Sequence, residues 1–334
     1  MDTGVILEAV IKSIVLLLML TAGFAYTTLY ERKVLARMQV RIGPNRAGYK
    51  GLLQPIADAV KLIFKEELVP ANAEKFIFIL APVLTVIPAL VIGGVIPFGG
   101  TVNIFGRNVA LQIADSNVGV LYILTVTSIS VYGITLAGWS SNNKYALLGG
   151  MRSTAQMISY ELALGLSYIG PTLVAGSMSL LAIVNAQRNI PFIVLQPVAF
   201  VIYFLASLAE INRAPFDMPE AEQELTAGYH TEYSSMKFAL FFMAEYIKMI
   251  VISMIGSTLF LGGFLGPFVD EVPWLGPIYL LIKTLLWLFL IIWIRATLPR
   301  IRYDRLMALG WKVLFPLALA NVLVTAVIII MVGG

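Results

Sequence analysis

Long uninterrupted apolar runs constrain this chain more than any other feature of its sequence. A helix needs about 20 mostly apolar residues to cross the hydrocarbon core of a bilayer. Eight segments meet that description: Val5 to Tyr30, Phe76 to Pro97, Val118 to Gly138, Thr154 to Gly176, Phe192 to Glu210, Met236 to Gly262, Ile278 to Arg295 and Trp311 to Val332. Charged residues make up 13% of the 334 and hydrophobic ones 59%. A soluble domain carries roughly a quarter charged residues, so lipid is the expected solvent. No polar stretch is long enough to fold separately. The expectation is an all-α, polytopic integral membrane protein with about eight transmembrane helices, forming one membrane domain over residues 1–334.

The loops set an orientation. Those after the first, third, fifth and seventh runs hold fourteen basic residues: Arg32, Lys33, Arg37, Arg41, Arg46, Lys50, Lys61, Lys65, Lys144, Arg152, Arg213, Arg300, Arg302 and Arg305. The loops after the second, fourth and sixth hold two, Arg107 and Arg188. Positive charge stays on the cytoplasmic side, so both termini are expected outside, on the periplasmic face of a cell inner membrane. The first run is too long for the core of a cleavable signal, and its basic flank follows it.

The chain has no Cys and one His, His230. Iron–sulfur clusters need several thiolates and structural zinc about four Cys/His ligands. No metal or redox centre of its own is expected. The absence of Cys leaves the redox compartment open. No internal repeat is evident, which speaks against an inverted-repeat transporter.

The first cytoplasmic loop contains a second kind of helix. Leu52, Ile56, Val60, Ile63 and Phe64 recur at helical spacing, with Gln54, Asp58, Lys61 and Lys65 opposite and Pro55 near the start. This amphipathic helix lies either on the membrane surface or against a partner. Just before it, Arg41-Ile42-Gly43-Pro44-Asn45-Arg46 places a tight turn between two guanidinium groups, a pattern suited to anions, carboxylates or lipid headgroups.

Acids gather at the inner boundary. Glu210, Asp217, Glu220, Glu222, Glu224 and Glu232 lie within 23 residues that hold a single Arg and the single His. Crowded carboxylates raise one another's proton affinity, which suits proton exchange near neutrality. Asp217 with Glu220 equally fits a helix capping box, but capping does not account for all six. Glu220 and Glu224, four apart, share a helix face. Two more acids, Glu161 and Glu245, fall inside apolar runs, roughly 12–14 Å from the cytoplasmic end. A charge there needs a partner or a wet cavity. Lys248 is the local candidate for Glu245, while Glu161 has no cation nearby in sequence. Glu8 and Lys12 read as a helix-surface pair.

Several long motifs resemble one family: Tyr30-Glu31-Arg32-Lys33, Arg41-Ile42-Gly43-Pro44-Asn45-Arg46, Ala209-Glu210-Ile211-Asn212-Arg213-Ala214-Pro215-Phe216-Asp217, Gly228-Tyr229-His230-Thr231-Glu232-Tyr233 and Phe238-Ala239-Leu240-Phe241-Phe242-Met243-Ala244-Glu245-Tyr246. They look like the H subunit of bacterial NADH-quinone oxidoreductase, respiratory complex I, over essentially the whole chain. The resemblance implies a membrane-arm component of a proton-translocating enzyme, in contact with other membrane-arm and hydrophilic-arm subunits and with lipid, and not with nucleic acid. It implies a quinone (ubiquinone or a relative) as substrate, with FMN, iron–sulfur clusters and NADH held by partner subunits. It places Glu31, Arg32, Arg37, Arg41 and Arg46 around a quinone tunnel, with the amphipathic helix at the entrance. It assigns Glu161, Glu210, Asp217, Glu220, Glu222, Glu224 and Glu245 to a proton-coupling path. Three other readings stay open from sequence: a membrane component of a related energy-converting hydrogenase or cofactor dehydrogenase, a stand-alone proton transporter, and a purely structural anchor.

Overall fold

The computed structural model describes residues 3–104, 106–218 and 227–333. Helices dominate: α1 (Thr3–Met38), α2 (Gln54–Phe64), α3 (Lys75–Ile92), α4 (Gly119–Ser140), α5 (Lys144–Ala175), α6 (Leu180–Ala186), α7 (Phe192–Leu195), α8 (Pro197–Glu210), α9 (Ser235–Phe260), α10 (Leu275–Thr297), α11 (Tyr303–Leu309) and α12 (Phe315–Gly333). A π-helical turn, Gly310–Leu314, joins the last two. One antiparallel hairpin, β1 (Thr101–Ile104) and β2 (Arg107–Ala110), pairs Thr101 with Ala110.

Each of the eight apolar runs becomes helix. Six helical segments are long and apolar enough to span unaided: Ile6–Met38, Lys75–Val95, Gly119–Ser140, Ser235–Phe260, Leu275–Thr297 and Tyr303–Met331. A seventh span counts α5 with α6, bent by 60°. The bend follows Gly176, whose φ of 65° gives the left-handed end that glycine adopts without a Cβ penalty. The remaining run is split at Pro197, which has no N–H to continue the preceding turn. That leaves α8 at 14 residues, or about 21 Å, shorter than a standard span. Gln196, at the break, bonds the hydroxyl of Thr325 at 3.0 Å and accepts from Asn321 at 3.1 Å. Those side chains tether the short helix to α12.

Two helices overrun their sequence bounds in ways that matter for function. The first apolar run ends at Tyr30, yet α1 continues to Met38, because Glu31 to Met38 contains good helix formers and no Gly or Pro. Glu31, Arg32 and Arg37 are therefore helical residues, where sequence placed them in a loop. Likewise α5 begins at Lys144, not Thr154, capped by the Asn143 side chain, which accepts from Tyr145 N at 3.0 Å. Glu161 consequently lies mid-helix.

Burial is uneven. In the apolar window of α9, 67% is buried, against 11% in α1 and 17% in the last span. The core packs around α9: Tyr203, Phe260, Phe200 and Trp287 meet with ring centroids 5.4–5.7 Å apart, and the Tyr203 hydroxyl donates to Ile252 O at 2.6 Å. Lys283, on α10, donates to the carbonyls of Leu261, Gly263 and Leu265 at 2.7–2.8 Å, satisfying acceptors in the turn that follows α9.

Small residues let the remaining helices close up. A Cβ on Gly149 would lie 2.5 Å from Gly228 Cα and 2.9 Å from Gly228 C. Both contacts are backbone, so α5 and the Gly228–His230 turn cannot both stay in place. Gly149→Ala is expected to cost about 1–3 kcal/mol by overpacking, read as a lowered thermal unfolding midpoint in detergent.

Candidate functional site

The short loop after α8 organises the site. Asn212 turns the chain in the left-handed region, with φ 56°. Gln156, fully buried on α5, holds the turn: its amide donates to Ala209 O at 2.8 Å, Phe216 O at 2.7 Å and Asn212 Oδ1 at 3.1 Å. Phe216 packs on Tyr160 of α5, with centroids 5.6 Å apart. Pinned this way, the loop leaves Glu210 at the end of α8 and carries Arg213 back into the bundle, where it is 2% exposed.

Arg213 lies between two acids. Its Nε is 2.6 Å from Glu245 Oε1 and its Nη1 is 3.7 Å from Glu31 Oε1. The guanidinium also stacks over the ring of Tyr246, 4.6 Å from the centroid. Tyr246 in turn donates its hydroxyl to Glu31 Oε2 at 2.7 Å, and Arg295, at the end of α10, bonds Glu31 Oε1. Among the described residues, two carboxylates and two guanidiniums thus meet in one cluster drawn from α1, α9, α10 and the loop. Opposite charges face one another there, as low-dielectric surroundings require.

A second pair stands beside it. Lys248 donates to Glu210 Oε1 at 2.7 Å and to Ser130 Oγ of α4 at 3.2 Å. Sequence pointed Lys248 at Glu245, one turn away, and that pairing does not form. Arg213 supplies the partner for Glu245 instead, which frees Lys248 for Glu210. Glu161 accepts from Ser128 of α4 and interacts electrostatically with Glu210. A small cavity of about 40 Å³ touches both ion clusters. Its walls include Glu210, Asn212, His230, Glu245 and Lys248.

The basic residues are distributed differently. Arg32 bonds Asp58 on the polar face of α2 at 2.7 Å, fixing the amphipathic helix to α1. The opposite face of α2 is exposed, with Ile56 at 57%, Ile63 at 59% and Phe64 at 85%. Lys33, Arg37, Arg41 and Lys50 surround a cleft of about 570 Å³ lined also by Gly43, Pro44 and Asn45. Arg46 is exposed and outside its lining. Arg41 donates to Gln39 at 2.7 Å. Asp217 is half-buried, whereas Glu220, Glu222 and Glu224 lie outside the described residues. Glu8 and Lys12 pair at 2.6 Å near the other end of α1. Among the described residues no group of three or more His, Cys, Asp and Glu side chains could hold a metal ion.

Sequence reasoning missed Arg295, Tyr246 and the bridging position of Arg213. The available signal was arithmetic: acids inside apolar runs need cations, and Arg213 and Arg295 stand at the ends of two such runs. It also gave His230 no role. His230 is buried among the rings of Tyr229, Phe238, Phe241 and Phe242. That apolar burial drops its pKa to about 3 from the usual 6.5, so the ring is neutral in the folded protein.

Arg213→Met removes a cation from both Glu245 and Glu31. It is expected to cost about 3–5 kcal/mol, with Glu245→Gln milder, measured by thermal unfolding in detergent. As pH falls below 6.5 the unfolded chain protonates His230 while the folded chain does not. Stability should therefore decline progressively from about pH 6.5 towards pH 3 and lose this dependence above pH 6.5. His230→Asn should flatten that part of a stability-versus-pH curve.

The family described as NADH dehydrogenase matches residues 11–326. A Syntrophobacter fumaroxidans protein, named as the second of that organism's H subunits of NADH-quinone oxidoreductase, is 52% identical over 331 residues, covering 99% of this chain and 98% of the relative. The Thermomicrobium roseum protein named as the H subunit of NADH-quinone oxidoreductase is 52% identical over 338 residues, covering 98% of each chain. The Protochlamydia amoebophila protein of the same name is 54% identical over 302 residues, covering 90% of this chain and 91% of the relative.

Proposed function

Because the chain belongs to the family of H subunits of NADH-quinone oxidoreductase, membrane components of complex I, we propose that it guides a lipid quinone to its reduction site and couples that reduction to proton translocation. The observation that carries the proposal is the buried cluster in which Arg213 bridges Glu31, a tunnel candidate, and Glu245, a coupling candidate.

The entrance lies at the cytoplasmic surface. The exposed apolar face of α2 suits an isoprenoid tail and the hydrocarbon boundary. The polar face, fixed through Arg32 and Asp58, keeps that surface oriented. The Arg37 and Arg41 cleft offers cations to acidic loops of a hydrophilic-arm partner or to the headgroup region. Arg46 stands at its outer edge. Both termini face the periplasm, and residues 1–334 act as one membrane domain.

Reducing a quinone consumes protons and changes the charge of the tunnel. In low dielectric, a unit charge change acts strongly over several ångströms. Loss or gain of charge near Glu31 alters the pull on Arg213 and therefore the compensation of Glu245. Glu210, Lys248 and Glu161 stand next in line, with Asp217, Glu220, Glu222 and Glu224 supplying protons from the cytoplasmic loop. Electrons arrive from iron–sulfur clusters, FMN and NADH in partner subunits.

In the assembled complex, Glu210→Gln and Glu245→Gln should each lower proton-coupled quinone reduction about tenfold or more. NADH oxidation by an artificial acceptor that bypasses the membrane arm should be unchanged. Wild-type coupled turnover in both variants would overturn the reading.

A further inference from the structure

The cavity between the two ion clusters contains a buried titratable group that the coupling scheme leaves unused, His230. His230 Nε2 and Glu210 Oε2 are both buried and have no hydrogen-bond partner among the described residues. Both residues line the same cavity, with His230 5% and Glu210 1% exposed. A buried polar atom without a partner costs about 1–3 kcal/mol, and here two such atoms share one chamber. Its volume of about 40 Å³ accommodates roughly three water molecules at 10–15 Å³ each. Polar groups stand on several sides of it: Glu245 and Lys248 from α9, Ser130 from α4, Asn212 from the loop. Water in such a site finds the two to four partners that make its retention favourable.

We infer that this cavity is a binding site for a cluster of about three waters, and that His230 is the residue that positions the cluster against the free oxygen of Glu210. The inference rests on the coupling role proposed above and adds to it a means of transfer. Oε1 of Glu210 is occupied by Lys248, so Oε2 is the oxygen open to exchange. A proton that enters Oε2 from a water is replaced on that water by a proton from the next. The chain is fed by Glu245, which first takes up a proton, passes it to the nearest water and returns to the carboxylate that Arg213 holds; no electrons move.

His230 itself stays neutral throughout. The groups facing it are the rings of Tyr229, Phe238, Phe241 and Phe242 and, across the cavity, Glu210, Glu245 and Lys248. A neutral imidazole presents one donor and one acceptor, which orients water without trapping the proton. A charged ring at this point would attract both carboxylates and compete with Lys248 and Arg213. The backbone contact of Gly228 with Gly149 fixes where the ring can stand.

Two measurements on the assembled complex decide the matter. A density map fine enough to show water should contain ordered peaks within hydrogen-bond distance of both His230 Nε2 and Glu210 Oε2; an empty chamber would overturn the inference. In membranes, His230→Leu should lower proton-coupled quinone reduction at least about tenfold, less than removal of a group that carries the proton itself. The KM for quinone should not change. His230→Asn keeps a donor and an acceptor and should recover most of the lost rate, which a purely structural role would not predict. Wild-type coupling in His230→Leu overturns the inference. If Glu210→Gln and Glu245→Gln abolish coupling while His230→Leu does not, only the positioning role fails. If those two variants are silent, the coupling reading fails instead, and the density map still decides whether the water site exists. Should His230→Leu not assemble, the map and the rate of His230→Asn relative to wild type remain: an empty chamber overturns the inference, and ordered water with near-wild-type turnover supports it.

Discussion

The ion pairing of Arg213 is the interaction on which the remaining geometry depends. Lipid offers no water to hydrate a carboxylate, and an uncompensated charge inside a bundle costs several kcal/mol. Glu31, Glu210 and Glu245 are held on separate helices, so each needs a cation delivered to it. Arg213 meets two of the three, at 3.7 and 2.6 Å. Its planar, multidentate guanidinium makes that possible, whereas a Lys ammonium is a point charge. The Gln156 anchor, the left-handed turn at Asn212 and the stacking on Tyr246 all serve to keep the guanidinium in that position.

A cluster of opposite charges is stable as a set and sensitive in its parts. Glu31 receives Arg295, Arg213 and the Tyr246 hydroxyl together. A new charge near any one of them changes the best arrangement of all. That sensitivity is a cost for folding, since well-packed apolar residues of the same volume are often as stable or more so.

Much of the architecture was legible because lipid imposes simple rules. Apolar run length located every spanning helix, and the spacing of Ile56, Val60 and Ile63 located α2. The acids Glu161, Glu210 and Glu245 stood out because charge in an apolar run is rare. What sequence could not supply was which cation meets which acid. Local spacing paired Glu245 with Lys248, one turn away, because a helix rule sees only its own helix. The fold brings Arg213 from a loop 32 positions earlier, and a closer guanidinium displaces the local partner. Helix ends were misplaced for a related reason. Residues 31–38 are polar enough to leave a hydropathy window yet remain strong helix formers, so α1 carries Glu31 into the bundle as part of a rigid rod.

The division between centre and periphery explains why these groups tolerate one another. The spanning window of α9 is 67% buried and carries Glu245, Tyr246 and Lys248 within four residues of one another, facing Arg213, Glu31 and Glu210. The windows of α1 and the last span are 11% and 17% buried and present Leu7, Ile11, Leu323 and Ile330 outward. Those outer faces offer apolar contact to lipid or to neighbouring membrane subunits, away from the ion cluster. To the buried cluster α1 contributes Glu31 and α10 contributes Arg295. Glu31 joins both helix ends to Arg213, whose Nη1 stands 3.7 Å from it, and the same α1 carries Arg32, which holds Asp58 of α2 at 2.7 Å, so one continuous helix connects the amphipathic helix with the buried acids.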